Sequence, residues 1–182
     1  LPNYAAYPIS RDSFRRKMVR DLSGQTGMKL MGAIFRGASG VISRETRSSS
    51  LSVLRQVFVQ FVLFLALYAA GVGWACLIWM ADFLTVFMAI IRIRQVAEHA
   101  AVPDLYDPDP RMNTRTVEAP WWQRMIFAPN GVNYHLEPHF MASVPCYRLA
   151  ALHAHLKREH ALDDVPVFSG YGQLLRHAVQ PA

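Results

Sequence analysis

The 182-residue sequence has only two cysteines, Cys76 and Cys146, and no CxxC pair. That excludes a disulfide scaffold and a cysteine-held zinc module. Charge is also sparse, at 18% of residues against 52% hydrophobic, where a soluble domain carries about 25% charged residues. Residues 57–91 contain one formal charge, Asp82. No histidine precedes His99, and HExxH is absent, so nothing supports a zinc protease. Internal repeats and low-complexity tracts are missing too.

What the sequence does have is that apolar run. A spanning helix needs roughly 20 apolar residues. The 35 residues from Val57 to Ile91 therefore hold two short spans, or one long tilted span with an excursion. Gly71-Val72-Gly73 at the midpoint offers a turn, which favours a helical hairpin over roughly Val57–Ala70 and Trp74–Ile91, each extended by a few residues. A soluble helical hairpin would show a polar stripe, and these segments have none. Asp82 inside the second span is costly unless it faces protein or water.

The net charge of +6 is concentrated around this run. Residues 1–56 carry ten Lys/Arg against three acids, Arg92 and Arg94 close the far side, and the turn is uncharged. The positive-inside tendency then places both ends of the hairpin, and both termini, in the cytoplasm. A secretory signal is excluded because the apolar run starts too late and is too long. Basic residues arranged around a membrane hairpin, with no recognisable nucleic-acid module, argue against nucleic acid as a partner.

Before the spans, residues 9–24 read as a basic amphipathic helix. Ser10 is the N-cap, Ile9 and Phe14 form a hydrophobic staple, and Phe14, Met18 and Leu22 make the apolar face. Gly24 ends it. Such a helix can lie in the headgroup plane. Met31, Ile34, Phe35, Ala38, Val41 and Ile42 continue a helical stripe, and Arg47-Ser48-Ser49-Ser50 reads as a linker or cap before the first span.

After the spans, Pro103 to Pro110 is a breaker-rich loop. Trp121-Trp122 with Met125-Ile126-Phe127 suggests an interfacial segment, since tryptophan suits the headgroup level. A last helix starts near Pro145 with Leu149, Leu152 and Leu156 as its apolar stripe. All seven histidines lie in this region: His99, His135, His139, His153, His155, His160 and His177. Imidazole ligates iron, zinc or copper. On a helix, His135 and His139 would share one face. His153, beside the leucine stripe, and the three histidines after it read as packing or surface residues.

Ala97-Glu98-His99 follows a span, and Asn133-Tyr134-His135-Leu136-Glu137-Pro138-His139 precedes Val144-Pro145-Cys146-Tyr147-Arg148-Leu149. In that order they resemble the C-terminal part of membrane fatty acid desaturases. Tyr7-Pro8-Ile9-Ser10 and the stretch Arg16 to Gly24 resemble the segment before the family's second membrane hairpin. The resemblance implies an all-α integral membrane fold, the second half of a four-helix desaturase. It would have one transmembrane helical hairpin, interfacial amphipathic helices and a cytoplasmic helical cap. The chain then divides into residues 1–56 (cytoplasmic, basic), 57–91 (hairpin) and 92–182 (cytoplasmic, histidine-containing).

The family uses two irons, O2 and two electrons from a ferredoxin or cytochrome to remove hydrogens from a membrane lipid or acyl chain. Related members hydroxylate or ketolate lipids or carotenoids. Carried over, His99, His135 and His139 are metal ligands, Asn133 is the polar residue beside the third histidine box, and Glu98 and Glu137 are acceptors that orient ligand imidazoles. A bacterial inner membrane is the implied location.

Two departures stand out. The third box is ordinarily His-x-x-His-His, and Pro138 stands where its middle histidine belongs. Proline offers no ligand and disfavours helical geometry at Glu137, so regular display of His135 and His139 requires Pro138 in a first turn. Pro138 reads as a lesion, an error or an adaptation. The first and second boxes are also missing. The chain thus reads as a C-terminal portion whose three matching histidines complete no two-iron site and no catalytic set. An inactive desaturase-fold protein is the alternative.

Overall fold

The computed structural model of the chain describes residues 4–38 and 46–180. It is mostly helical, and it divides into two compact units, residues 1–16 with 90–182 and residues 17–89.

Helix α1 (Arg11–Leu22) begins where its cap predicts: the Ser13 amide donates to Ser10 Oγ at 3.3 Å. Gly24, at φ +80°, makes the turn into α2 (Gln25–Ala38), and Thr26 Oγ1 donates to the buried Asp21 carboxylate at 2.5 Å. The apolar stripe beyond Ala38, at Val41 and Ile42, lies outside the described residues. α3 (Thr46–Ala69) starts earlier than the hydropathy suggested and takes in Arg47–Ser50, read from sequence as a linker or cap. Gly71, at φ +77°, turns the chain. α4 (Ala75–Leu84) and α5 (Val86–His99) follow.

Two stretches are long and apolar enough to cross a membrane: Leu51–Ala69 (mean hydropathy 1.8) and Ala75–His99 (mean hydropathy 2.0). The second is broken at Thr85, whose backbone leaves the helical region at φ −121°, ψ −83°. Its hydroxyl donates to the Ala81 carbonyl at 2.6 Å, the kind of back-bond that bends helices. In the same unit α2 packs on α3 and α4. Gly27 makes the closest approach: a Cβ there would lie 2.6 Å from the Leu84 carbonyl oxygen. Asp82 is exposed on α4.

The other unit holds the chemistry-bearing residues. A buried core of Tyr7, Val96, Ala100, Phe168, Tyr171 and Leu174 draws together residues far apart in sequence. A second cluster places Leu136 against Leu162, Val165 and Leu156. Around them lie the short α6 (Pro110–Asn113), α7 (Trp121–Phe127) and α8 (Glu137–Phe140), then α9 (Leu149–Arg158) and α10 (Tyr171–Ala178). Among the described residues, the strand content is one two-residue parallel pair, β1 (Ile9–Ser10) with β2 (Val179–Gln180), and an isolated bridge between Val117 and Phe168. An all-α reading misses these, since two residues carry no periodic signal.

Candidate metal centre

The C-terminal end of α5 supplies Glu98 and His99. Its last carbonyls are held from outside the helix. Thr114 Oγ1 donates to the Glu98 carbonyl at 3.0 Å, and the buried Arg115 guanidinium donates to the Ala100 carbonyl at 2.6 Å while lying over the Phe168 ring. A cation at a helix C-terminus is where the macrodipole favours one. Burial nevertheless lowers the Arg115 pKa to about 10. Asp109 caps α6 by accepting from the Arg111 amide at 3.0 Å. The carbonyl of Asn113, the last residue of α6, then lies 3.2 Å from His99 Nδ1. With that nitrogen donating, His99 Nε2 carries the ring lone pair, the one that can ligate.

The second side of the site is the turn into α8. Pro138 occupies its first turn, where a missing N–H costs nothing, so His135 and His139 are displayed on the same side despite the proline. His135 Nε2 stands 3.1 Å from His99 Nε2. The His139 ring centroid lies 5.2 Å from that of His135 and 6.4 Å from that of His99. Glu98 is buried, accepts from Arg94 Nε at 2.8 Å, and sits 3.7 Å from His135 Nδ1. Ligand atoms from Glu98, His99 and His135 all fall within 4.8 Å of one another.

The donor set suits a transition metal. Burial first, then neighbouring His99, His139 and Arg94, push the His135 pKa down to about 3. His139 is lowered by the same two causes, burial and His99. Both rings are therefore neutral near pH 7, the form that ligates. Two ring nitrogens 3.1 Å apart can both reach one ion at metal–nitrogen bonds of about 2.0–2.1 Å. Two imidazoles with a carboxylate are a ligand combination found at non-haem iron.

Among the other residues singled out, Asn133 is buried, with Nδ2 donating to the Val117 carbonyl at 3.1 Å. Its Oδ1 has no partner among the described residues, an orphaned acceptor two residues before His135. Glu137 is fully buried but points elsewhere than the cluster. It accepts from Thr116 Oγ1 at 2.5 Å and meets His153 Nδ1. His155, His160 and His177 are exposed, as packing arguments predict. His153 is buried between two carboxylates, a role the sequence did not disclose.

The family model for fatty acid desaturases matches residues 2–171, nearly the whole chain. The chain belongs to the fatty acid desaturase family. No curated protein and no solved structure matches it. Membership gives this desaturase-family chain a desaturase-like function, an acyl lipid as substrate class and a place at the membrane. Desaturases generally work with two irons. The only group of three or more potential ligands that could hold one ion, among the described residues, is the one built on Glu98, His99 and His135.

Proposed function

We propose that this chain forms the part of a membrane desaturase that holds iron through His99, His135 and His139. Glu98 and Asn133 border the ions, and Glu137 secures the third box. The observation carrying the reading is the convergence of His99 and His135, 3.1 Å apart, from segments 36 residues apart in sequence. Iron supplies the activation of O2. Overall, an acyl CH2–CH2 unit, O2, two electrons and two protons become a double bond and two waters. The electrons come from a ferredoxin or cytochrome. The chain's own residues bind and orient: neutral imidazoles ligate, Asn113 fixes the His99 tautomer, and Glu98 balances charge.

Three histidines and a carboxylate are fewer ligands than two irons take, and Pro138 removes one imidazole. The 182-residue chain is expected to take up at most one Fe(II) in an anaerobic titration. His135→Ala and His99→Ala should each abolish that uptake. Two irons per chain surviving a chelator, or uptake unaffected by both substitutions, would sink this ligand assignment. A desaturase-fold protein without catalysis is the second reading, and Pro138 is the residue that favours it.

The apolar stretches are proposed to form a transmembrane hairpin turning at Gly71, with residues 1–56 and 92–182 cytoplasmic. α1, α2 and α7 then lie in the interface, the rest of 92–182 is a cytoplasmic helical cap, and the setting is a bacterial inner membrane. α7 exposes Trp121, Trp122, Met125 and Ile126 beside Arg124, the composition of an interfacial helix. Reporter fusions at residue 182 should read cytoplasmic and those at Val72 external. A cytoplasmic signal at Val72 contradicts the hairpin.

A further inference from the structure

The buried carboxylate of Glu137 begins a chain of contacts running away from the histidine cluster. One oxygen takes the Thr116 hydroxyl and the other takes His153 Nδ1. His153, on α9, presents its second nitrogen to Glu118 Oε1 at 3.0 Å. That same oxygen accepts from Lys157, one turn further along α9. An imidazole between two carboxylates donates from both nitrogens only when protonated. The direction of its pKa agrees: Glu137 raises it most, Glu118 adds to this, and burial opposes. Glu137, Glu118 and Lys157 are thus linked through one imidazole.

Such an arrangement is a poor way to gain stability. Desolvating its buried half, Glu137 and His153, offsets much of their attraction, and Glu118 and Lys157 lie at the exposed end, where ion pairs contribute little. What it does provide is direction. Glu137 sits between His135 and His139 in the turn of α8 and is itself clamped from two sides. Residues 116–118, the far clamp, are tied back to the box, since the Val117 amide donates to the Asn133 carbonyl at 3.0 Å. His153 thus joins α9, the 116–118 segment and the α8 turn through one side chain.

We propose that His153 is a positioning residue for the histidine cluster. Through Glu137 it fixes the turn that presents His135 and His139 to His99, and it ligates nothing itself. This rests on the reading of those three histidines as metal-holding.

The two nitrogens of His153 can be tested apart. The Nδ2 of asparagine reproduces the Nδ1 donor toward Glu137, and the Nε2 of glutamine reproduces the Nε2 donor toward Glu118. Cobalt(II) is titrated into the detergent-solubilised full chain and followed by its visible d–d absorption. Side-chain nitrogen NMR of the metal-free chain reports the His135 and His139 tautomers. His153→Leu is expected to weaken cobalt binding about 10–100-fold and to mix those tautomers. His153→Asn should recover most of that loss, and His153→Gln should not.

Equal cobalt affinity in His153→Leu and the unaltered chain overturns the proposal. So does equal behaviour of the Asn and Gln variants, which carry the test if His153→Leu does not fold. No cobalt binding by the unaltered chain overturns instead the metal-holding reading, and this proposal with it.

Discussion

Leu136→Ala is expected to destabilise the unit that carries the histidines by about 2–5 kcal/mol, the cost of emptying a closed core site. Leu136 has no exposed surface and packs against Leu162, Val165 and Leu156. It lies between His135, which faces the cluster, and Glu137, which faces Thr116 and His153. Three consecutive side chains therefore go to three different surroundings, and the leucine is the one anchored by apolar burial. The check is a urea titration of the detergent-solubilised chain. The midpoint should fall with the slope unchanged. Tyr147→Ala, at a residue 78% exposed, serves as the reference. A midpoint for Leu136→Ala no lower than that reference would show that the cluster does not hold the turn.

Gly27→Ala is expected to destabilise the unit of residues 17–89 by about 1–3 kcal/mol, and Gly27→Val by more. A methyl group there would meet three Leu84 atoms, the carbonyl oxygen at 2.6 Å, Cα at 2.7 Å and the carbonyl carbon at 3.0 Å. None of these belongs to a flexible side chain, so the helices themselves must separate. Gly32, in the same helix, is the control: a Cβ there meets nothing closer than the end of the Arg36 side chain at 3.5 Å. Gly32→Ala should therefore gain up to about 1 kcal/mol of helix propensity. Unfolding in mixed micelles of increasing SDS content, followed by circular dichroism, ranks the variants. If both alanine substitutions shift the transition alike, the α2 contact at Leu84 is not close-packed.

The parts of this fold that were legible in the sequence are those whose determinants are local. Ser10 and Gly24 bracket α1 within a few residues of it, and Gly71 marks the turn after the first apolar stretch. The histidines could be picked out because residue type and family order carry the signal. The break at Thr85 could not, because it has no proline or glycine and rests on one hydroxyl bond inside an apolar run. Glu137 was read as orienting a ligand imidazole, and its partners lie 16 and 21 residues away. His153 had one available hint: it follows Leu149 by four residues on the apolar side of α9, so its burial was foreseeable but its carboxylate partners were not.

Neither the apolar stretch Leu51–Ala69 nor residues 75–87 contain a residue buried within the protein. The histidine-bearing unit instead has two closed apolar clusters. With the apolar stretches in the membrane, as proposed above, the two units answer to different solvents. Lipid gives helices no hydrophobic reason to associate, so close backbone approaches such as Gly27 on Leu84 must hold them. Water drives the burial of Leu136 and Leu174. Urea acts on the second kind of cohesion and detergent composition on the first. A single free energy of unfolding is consequently undefined for this chain, and each substitution has to be judged in the medium that its own unit responds to.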